Sequence, residues 1–283
     1  NPAAREKLLR LLTDRGAAQA LPTAYNALKD EDSAVRVTAL RVFGMLAGTA
    51  DLPAIIEVAV TPADDAARTA AESALTDICS RAKNEALAGL AAAMNNATPE
   101  ARRTLLRALP AVATPEALAL LTPAVADADA GVQEEALRLL SDWPTVDAAP
   151  QLLELAKNPD EGKYVLGMRG YVRLARAEND PARKTEMLNQ AMSLARRAEE
   201  KKMVVGAWGT LKAASTLDVL KPLLDDADIR DDAAATILGI AADLAKKDPN
   251  AKPAAAEAVK LVLEKSQNDA IKENANRVAQ QLQ

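Results

Sequence analysis

Histidine is absent from the 283 residues, aromatic residues make up 2%, and there is one cysteine. Each shortage removes a class of function. Without histidine there is no histidine-assisted serine or cysteine nucleophile, no histidine-containing zinc site and no imidazole base working near neutral pH. A lone cysteine cannot close an internal disulfide and says nothing of redox compartment. Cys79 falls on the apolar face of a helical pattern, so it reads as a buried structural thiol. No P-loop and no dinucleotide fingerprint occurs, and the carboxylates identify no acid/base pair, so neither catalysis, a cofactor nor a metal is expected. No charge-free run reaches the roughly 18 residues a membrane-spanning helix needs. The opening stretch NPAAREKLLRLL lacks an apolar signal core, and the chain does not start with Met. Compartment and oligomeric state stay open, and a processed chain or a piece of a larger protein is the expectation.

What is plentiful is alanine with leucine, which favours helix and, with so few aromatic residues, argues against an extensive sheet. The net charge of −5 and pI of about 5.1 do not suit an unselective nucleic-acid binder.

The segment DSAVRVTALRVFGML, from Asp32 to Leu46, is the unit that recurs. Taking Val35 as position zero, a small-then-large apolar pattern follows at plus four and plus eight, Ala39 and Phe43. The same frame starts again at Ala67, Ala101, Val132, Lys163, Met203, Ile229 and Ile271. Repetition at this period marks an array of supersecondary units. Three residues before each zero stand Asp32, Asp64, Thr98, Asp129, Asp160, Glu200, Asp226 and Asn268, mostly types whose side chain accepts a free N–H at a helix start. The small residue at plus four suits a close helix approach. Upstream of most frames lies a second apolar segment, for example from Ala17, Asp51, Thr114, Asp147 and Ser215. Each pair predicts a helical hairpin. Of the prolines in the first helices, Pro22, Pro53 and Pro150 sit near a start, whereas Pro123 and Pro222 are expected to bend their helices.

The prediction is an all-α fold, an α-α superhelix or solenoid of about eight antiparallel helical hairpins. A single array spans 1–283, with an N-terminal capping helix over 1–16, repeats over 17–265 and a polar capping helix over 266–283. The kinked first helix, the turn Asp and the Arg at plus one (Arg36, Arg68, Arg102, Arg230) resemble HEAT repeats, closest to the bacterial PBS-lyase-like variety. The frame departs from that resemblance at Gln133, Tyr164 and Val204, and an insertion lengthens it around 178–202. The stretch from Arg196, RRAEEKKMVVGAWGTL, is also similar to HEAT arrays found beside other domains in large exported bacterial proteins.

Position plus six points almost directly away from the core at about 100° per residue. It holds Arg41, Arg107, Arg138 and Arg169, with Arg173 one turn further along the same side. In arrays that resemble HEAT repeats the second helices line the concave surface, so the resemblance implies that this row faces a groove. A guanidinium ladder there suits a protein or acidic peptide, a phosphate-bearing partner or a carboxylate-rich ligand. The opposing reading is an ordinary solvated face with acidic neighbours such as Glu134 and Glu135. Residues 157–212 hold 12 Lys or Arg against 7 Asp or Glu, which suggests a basic patch around Arg183, Lys184, Arg196 and Arg197. The acidic run Asp225, Asp226, Asp228, Asp231 and Asp232 lacks the glycine and glutamate of a calcium loop and reads as helix-start charge. A nucleic-acid-associated solenoid, glycosylase-like through Trp143 and Asp147, is the alternative, and a purely structural spacer is another. The acidic charge, and Pro144 after the Trp, oppose the first. The preferred reading is a non-catalytic interaction scaffold, a module of a larger bacterial protein.

Overall fold

A computed structural model describes residues 1–17 and 19–283. Among the described residues the regular structure is helical throughout, with no strand and no helix long and apolar enough to cross a membrane. The chain divides into two compact units, Asn1–Ala148 and Ala149–Gln283.

The first unit opens with α1 (Pro2–Asp14) and continues with four hairpins. These are α2 (Ala20–Ala27) with α3 (Ser33–Leu46), α4 (Leu52–Val60) with α5 (Asp65–Ala82), α6 (Leu87–Asn95) with α7 (Pro99–Leu106) and α8 (Leu109–Val112), and α9 (Pro115–Leu121) with α10 (Ala130–Ser141). Ala18, which the sequence places in the first helix of the first hairpin, lies outside the described residues. Second helices stack on one another: α1 on α3, α3 on α5, α5 on α8 and α7 on α10. The frame positions Val35, Ala39, Phe43, Ala67, Ala71, Leu75, Val132 and Ala136 have no exposed surface. Burial of each large side chain contributes about 1.5–3 kcal/mol, so the repeated frame is what holds the stack.

The helix starts behave as their sequence predicts. Asp32, Asp64, Thr98, Asp129, Asp160 and Asn268 each accept backbone N–H groups of the following turn. Glu200 and Asp226 do not cap. Glu200 lies inside the first turn of its helix and accepts the Arg197 N–H, while Asp226 closes a short 3-10 turn. In the first three hairpins the Arg at plus one reaches the next hairpin, whereas Arg230 donates to the Leu224 carbonyl of its own. Arg36 reaches Asp64, Arg68 reaches Glu100 at 2.9 Å, and Arg102 reaches Asp127 at 2.6 Å. At the other end of the second helices, Arg81 donates to the Gly44 and Ala47 carbonyls, and Lys83 to those of Ala111 and Val112. A cation at a helix C-terminus also favours the macrodipole. The third second helix is broken in two, a feature the frame hides: Pro110 has no N–H to continue the ladder, so α7 ends and α8 starts afresh. Ala113 closes α8 in the left-handed region at φ 57°.

The second unit contains four hairpins. They are α11 (Ala149–Lys157) with α12 (Glu161–Ala177), α13 (Pro181–Leu194) with α14 (Ala198–Trp208), α15 (Ala214–Leu220) with α16 (Arg230–Lys247), and α17 (Lys252–Lys265) with α18 (Asp269–Leu282). The insertion around 178–202 is a full-length first helix, α13. Gly167, the plus-four residue of α12, meets α11 so closely that a Cβ there would lie 2.4 Å from the Ala156 nitrogen. The two later prolines act as expected, since α9 and α15 pass into 3-10 turns at Thr122–Ala126 and Lys221–Asp225, which contain Pro123 and Pro222. In α14 the register shifts: Trp208 is buried and Leu211 only half-buried. Tyr164, fully buried, accepts the Arg196 N–H at 2.8 Å and donates to Glu200, with the Arg196 guanidinium 4.1 Å above its ring. This polar cluster pins the turn before α14.

Candidate functional site

The exposed face of the second helices carries the predicted arginines, but they occupy three different environments. Arg107 stands at the end of α7, with Glu72 of α5 on one side and Glu135 of α10 on the other. Its Nε and Nη2 donate to the two oxygens of Glu135 at 3.0 and 3.1 Å, and its Nη1 donates to Glu72 at 3.1 Å. Thr104 donates to the same Glu72 oxygen. Arg138, one turn along α10 from Glu135, donates to it at 2.6 Å. The result is a ladder, Glu72–Arg107–Glu135–Arg138, across three stacked helices. Bidentate guanidinium–carboxylate pairing is the strong form of this bond.

Burial decides the electrostatics of the ladder. The Glu135 side chain is 7% exposed, against 39% for Arg107 and 60% for Arg138. Burial alone would raise the Glu135 carboxyl, but the hydrogen bonds and charges of Arg107 and Arg138 offset this and hold it below the usual range. The bond to Glu135 raises Arg107 in turn. These two arginines therefore act first on a carboxylate of their own chain, and Arg138 keeps the larger solvent-facing share.

Arg41 differs. It is exposed on α3, makes no hydrogen bond or ion pair among the described residues, and lines a groove of about 600 Å³ between α3 and α5. Val37 and Met45 line the α3 side, and Thr69, Ser73 and Asp77 the α5 side. In the second unit, Arg169 is exposed on α12 and makes no ion pair, and Arg173 is exposed one turn on. The structure thus joins Arg107 and Arg138 through Glu135, leaves Arg41 at its own groove, and sets Arg169 beside Arg173. Sequence reasoning noted Glu135 only as a solvating neighbour and missed Glu72 and Asp77. The spacing of Glu135 and Arg138, three apart on one helix, was the signal available for the first.

The other candidates resolve into local pairs. Within 157–212, Arg197 pairs with Glu161 and Glu200, Arg183 with Glu178, Lys201 with Asp226 and Lys202 with Asp232. Lys184 is buried with its Nζ near Thr210, and Arg196 donates to the Lys157 and Asn158 carbonyls. Arg183, Lys184, Arg196 and Arg197 are therefore held by contacts within the unit, while Arg169 stays exposed. In the acidic run, Asp225, Asp226 and Asp232 meet lysines and Asp231 accepts from Asn268. Trp143 is fully buried, with its ring N–H on Thr145, which donates to Asp147, so that pair presents no nucleobase platform. Cys79 is buried and its thiol is pushed up to about 11, an inert environment.

No curated protein sequence matches this chain. Among solved structures, a mutant of Kap121p is similar with a TM-score of 0.55 and 14% identity, over 98% of this chain and 36% of that one. The karyopherin Kap121p bound to the extreme C-terminus of the protein phosphatase Cdc14p matches with a TM-score of 0.50 and 12% identity, over 99% and 42%. E. coli YibA matches with a TM-score of 0.44 and 16% identity, over 91% of each chain. At these identities the likeness is one of fold. The family model for HEAT repeats matches residues 1–76 and 87–165, more than half of the sequence. With its stacked hairpins, capped second helices and this match, the chain is an all-α solenoid that belongs to the HEAT-repeat family.

Proposed function

We propose that this chain is a non-catalytic interaction scaffold that holds an acidic polypeptide partner against the exposed face of its second helices. Stacked hairpins fix the spacing of the guanidinium groups, so little ordering is needed on binding. The observation that carries this reading is the exposure of Arg41 and Arg169 without an ion pair among the described residues, whereas Arg107 and Arg138 at the same frame position are paired with Glu135. In the second unit Arg173 adds to the face of Arg169, and in the first the exposed part of Arg138 adds a further guanidinium whose geometry Arg107 sets through Glu135. The array over 1–283 then serves as one scaffold, and its membership of a larger bacterial protein belongs to the same reading.

The test is fluorescence anisotropy with a labelled, glutamate-rich 12-residue peptide. Arg41→Ala, Arg169→Ala and Arg173→Ala are each expected to weaken binding by about threefold to fivefold, the size of a half-exposed ion pair, and more steeply at low salt. Unchanged affinity in all three variants would leave the spacer reading. Stronger binding of a duplex oligonucleotide than of the peptide would favour the nucleic-acid alternative.

A further inference from the structure

The groove between α3 and α5 holds two opposite charges, and neither has a hydrogen-bond or ion-pair partner among the described residues. Arg41 stands on one wall and Asp77 on the other, both exposed. Elsewhere on the second helices of this unit, Arg36, Arg68, Arg102, Arg107, Glu72 and Glu135 are paired. The two charges do not lie at the same level. The helices repeat with a 32-residue offset, from Val35 to Ala67, so Arg41 is level with Ser73 and Asp77 with Met45. Arg41 and Asp77 are thus one helical turn apart along the groove, about 6 Å.

Met45 adds an apolar contact at the second level. It is 63% exposed, although the rest of the large apolar side chains of the first three hairpins are mostly buried. Where α3 and α5 meet below, Gly44 allows the close approach: a Cβ there would lie 2.8 Å from an Asp77 carboxylate oxygen and 3.3 Å from the Ala74 Cα. The Asp77 carboxylate therefore lies over the α3 backbone at the groove floor.

We propose that the α3/α5 groove docks a helical segment of a partner protein that presents an acidic side chain to Arg41 and, one turn on, a basic side chain to Asp77 beside an aliphatic one on Met45. A helix satisfies this pattern because residues i, i+3 and i+4 share a face and are one turn apart. An extended segment spaces its same-face side chains similarly but places only one per level, and cannot meet Met45 and Asp77 together. Charge complementarity sets direction and register, while the aliphatic contact supplies apolar burial. The inference rests on the proposed use of the second-helix face and adds that this part of it selects a mixed-charge helix over a uniformly acidic one.

The experiment uses the full chain and labelled alanine-based 16-residue helical peptides. The mixed peptide carries Glu at one position with Leu and Lys three and four residues later, in both orders. In the acidic control Glu replaces the Lys, and in the basic control Lys replaces the Glu. The wild-type chain is expected to bind one order of the mixed peptide about fivefold more tightly than either control, as for one well-placed surface ion pair. Asp77→Lys should shift the preference to the acidic control, Arg41→Glu to the basic control, and Met45→Ala should weaken the mixed peptide without changing the preference. If the wild type binds the acidic control as tightly as the mixed peptide, the inference fails while the acidic-partner reading stands. If no peptide binds, both fail.

Discussion

Replacing Glu135 by Gln should destabilise the first unit and at the same time strengthen its grip on an acidic ligand. Glu135 accepts two bonds from Arg107 and one from Arg138 while only 7% exposed. The amide keeps the shape and one acceptor but loses the charge, so Arg138 loses its counter-ion and Arg107 is left with Glu72 alone. Removing one member of a fully buried pair costs about 3–5 kcal/mol. Here the guanidinium groups are 39% and 60% exposed, and water replaces much of what is lost. About 1–2 kcal/mol remains on that scaling. With a urea dependence of about 2–3 kcal/mol per molar for a folding unit of this size, the unfolding midpoint followed by circular dichroism should fall by roughly half a molar. The freed guanidinium N–H groups should raise affinity for the glutamate-rich peptide by about twofold to fivefold. A midpoint and an affinity both equal to wild type would refute the ladder as a stabilising, charge-consuming device. A loss of stability with no gain in affinity would confine it to an architectural role.

Other consequences concern packing, backbone and pH. Gly167→Ala places a methyl 2.4 Å from the Ala156 nitrogen and 2.7 Å from Leu155, backbone that cannot move aside cheaply. It should cost about 2–3 kcal/mol in chemical denaturation, at the upper end for an added methyl group. Ala113→Gly should raise thermal stability by about 0.5–1 kcal/mol, because alanine at φ 57° is strained by more than glycine adds to the unfolded chain's entropy. The Asp64 carboxyl is held down to about 2, first by the Ala67 N–H and then by Arg36, and Arg197 holds Glu200 below its usual range. Depressed carboxyl groups stabilise the fold above the pKa of the unfolded chain, so that stability should be fully present at pH 6. It should be lost as pH falls from about 4.5 towards 2, a slope that a pH series of urea midpoints would detect.

The architecture was legible because the same physics acts in every repeat. Val35, Ala39 and Phe43 recur as frame positions with no exposed surface, and Asp32 and its counterparts cap wherever a helix starts three residues before the zero. Exceptions have local causes. Pro110 splits a helix that the periodicity runs straight through, and in α14 the buried Trp208 takes the place the frame gave to Leu211. The surface was less legible. Position plus six correctly found outward-facing arginines, but which of them stay free depends on contacts between helices some 30 residues apart. Arg107 meets Glu72 and Glu135 from two neighbouring hairpins, whereas Arg41 meets Ser73, which offers no charge. A one-dimensional frame does not show such pairings, because Glu72 and Glu135 occupy different frame positions in their own repeats.

Binding of an acidic polypeptide to the exposed face of the second helices can be followed residue by residue. Amide chemical-shift mapping of the isotope-labelled chain during titration with the glutamate-rich peptide tests it most directly. Shifts are expected on α3, α5 and α10 in the first unit and on α12 in the second, led by residues beside Arg41, Arg138 and Arg169. Shifts confined to the first helices α4, α9 and α11, or to the turns between hairpins, would contradict it.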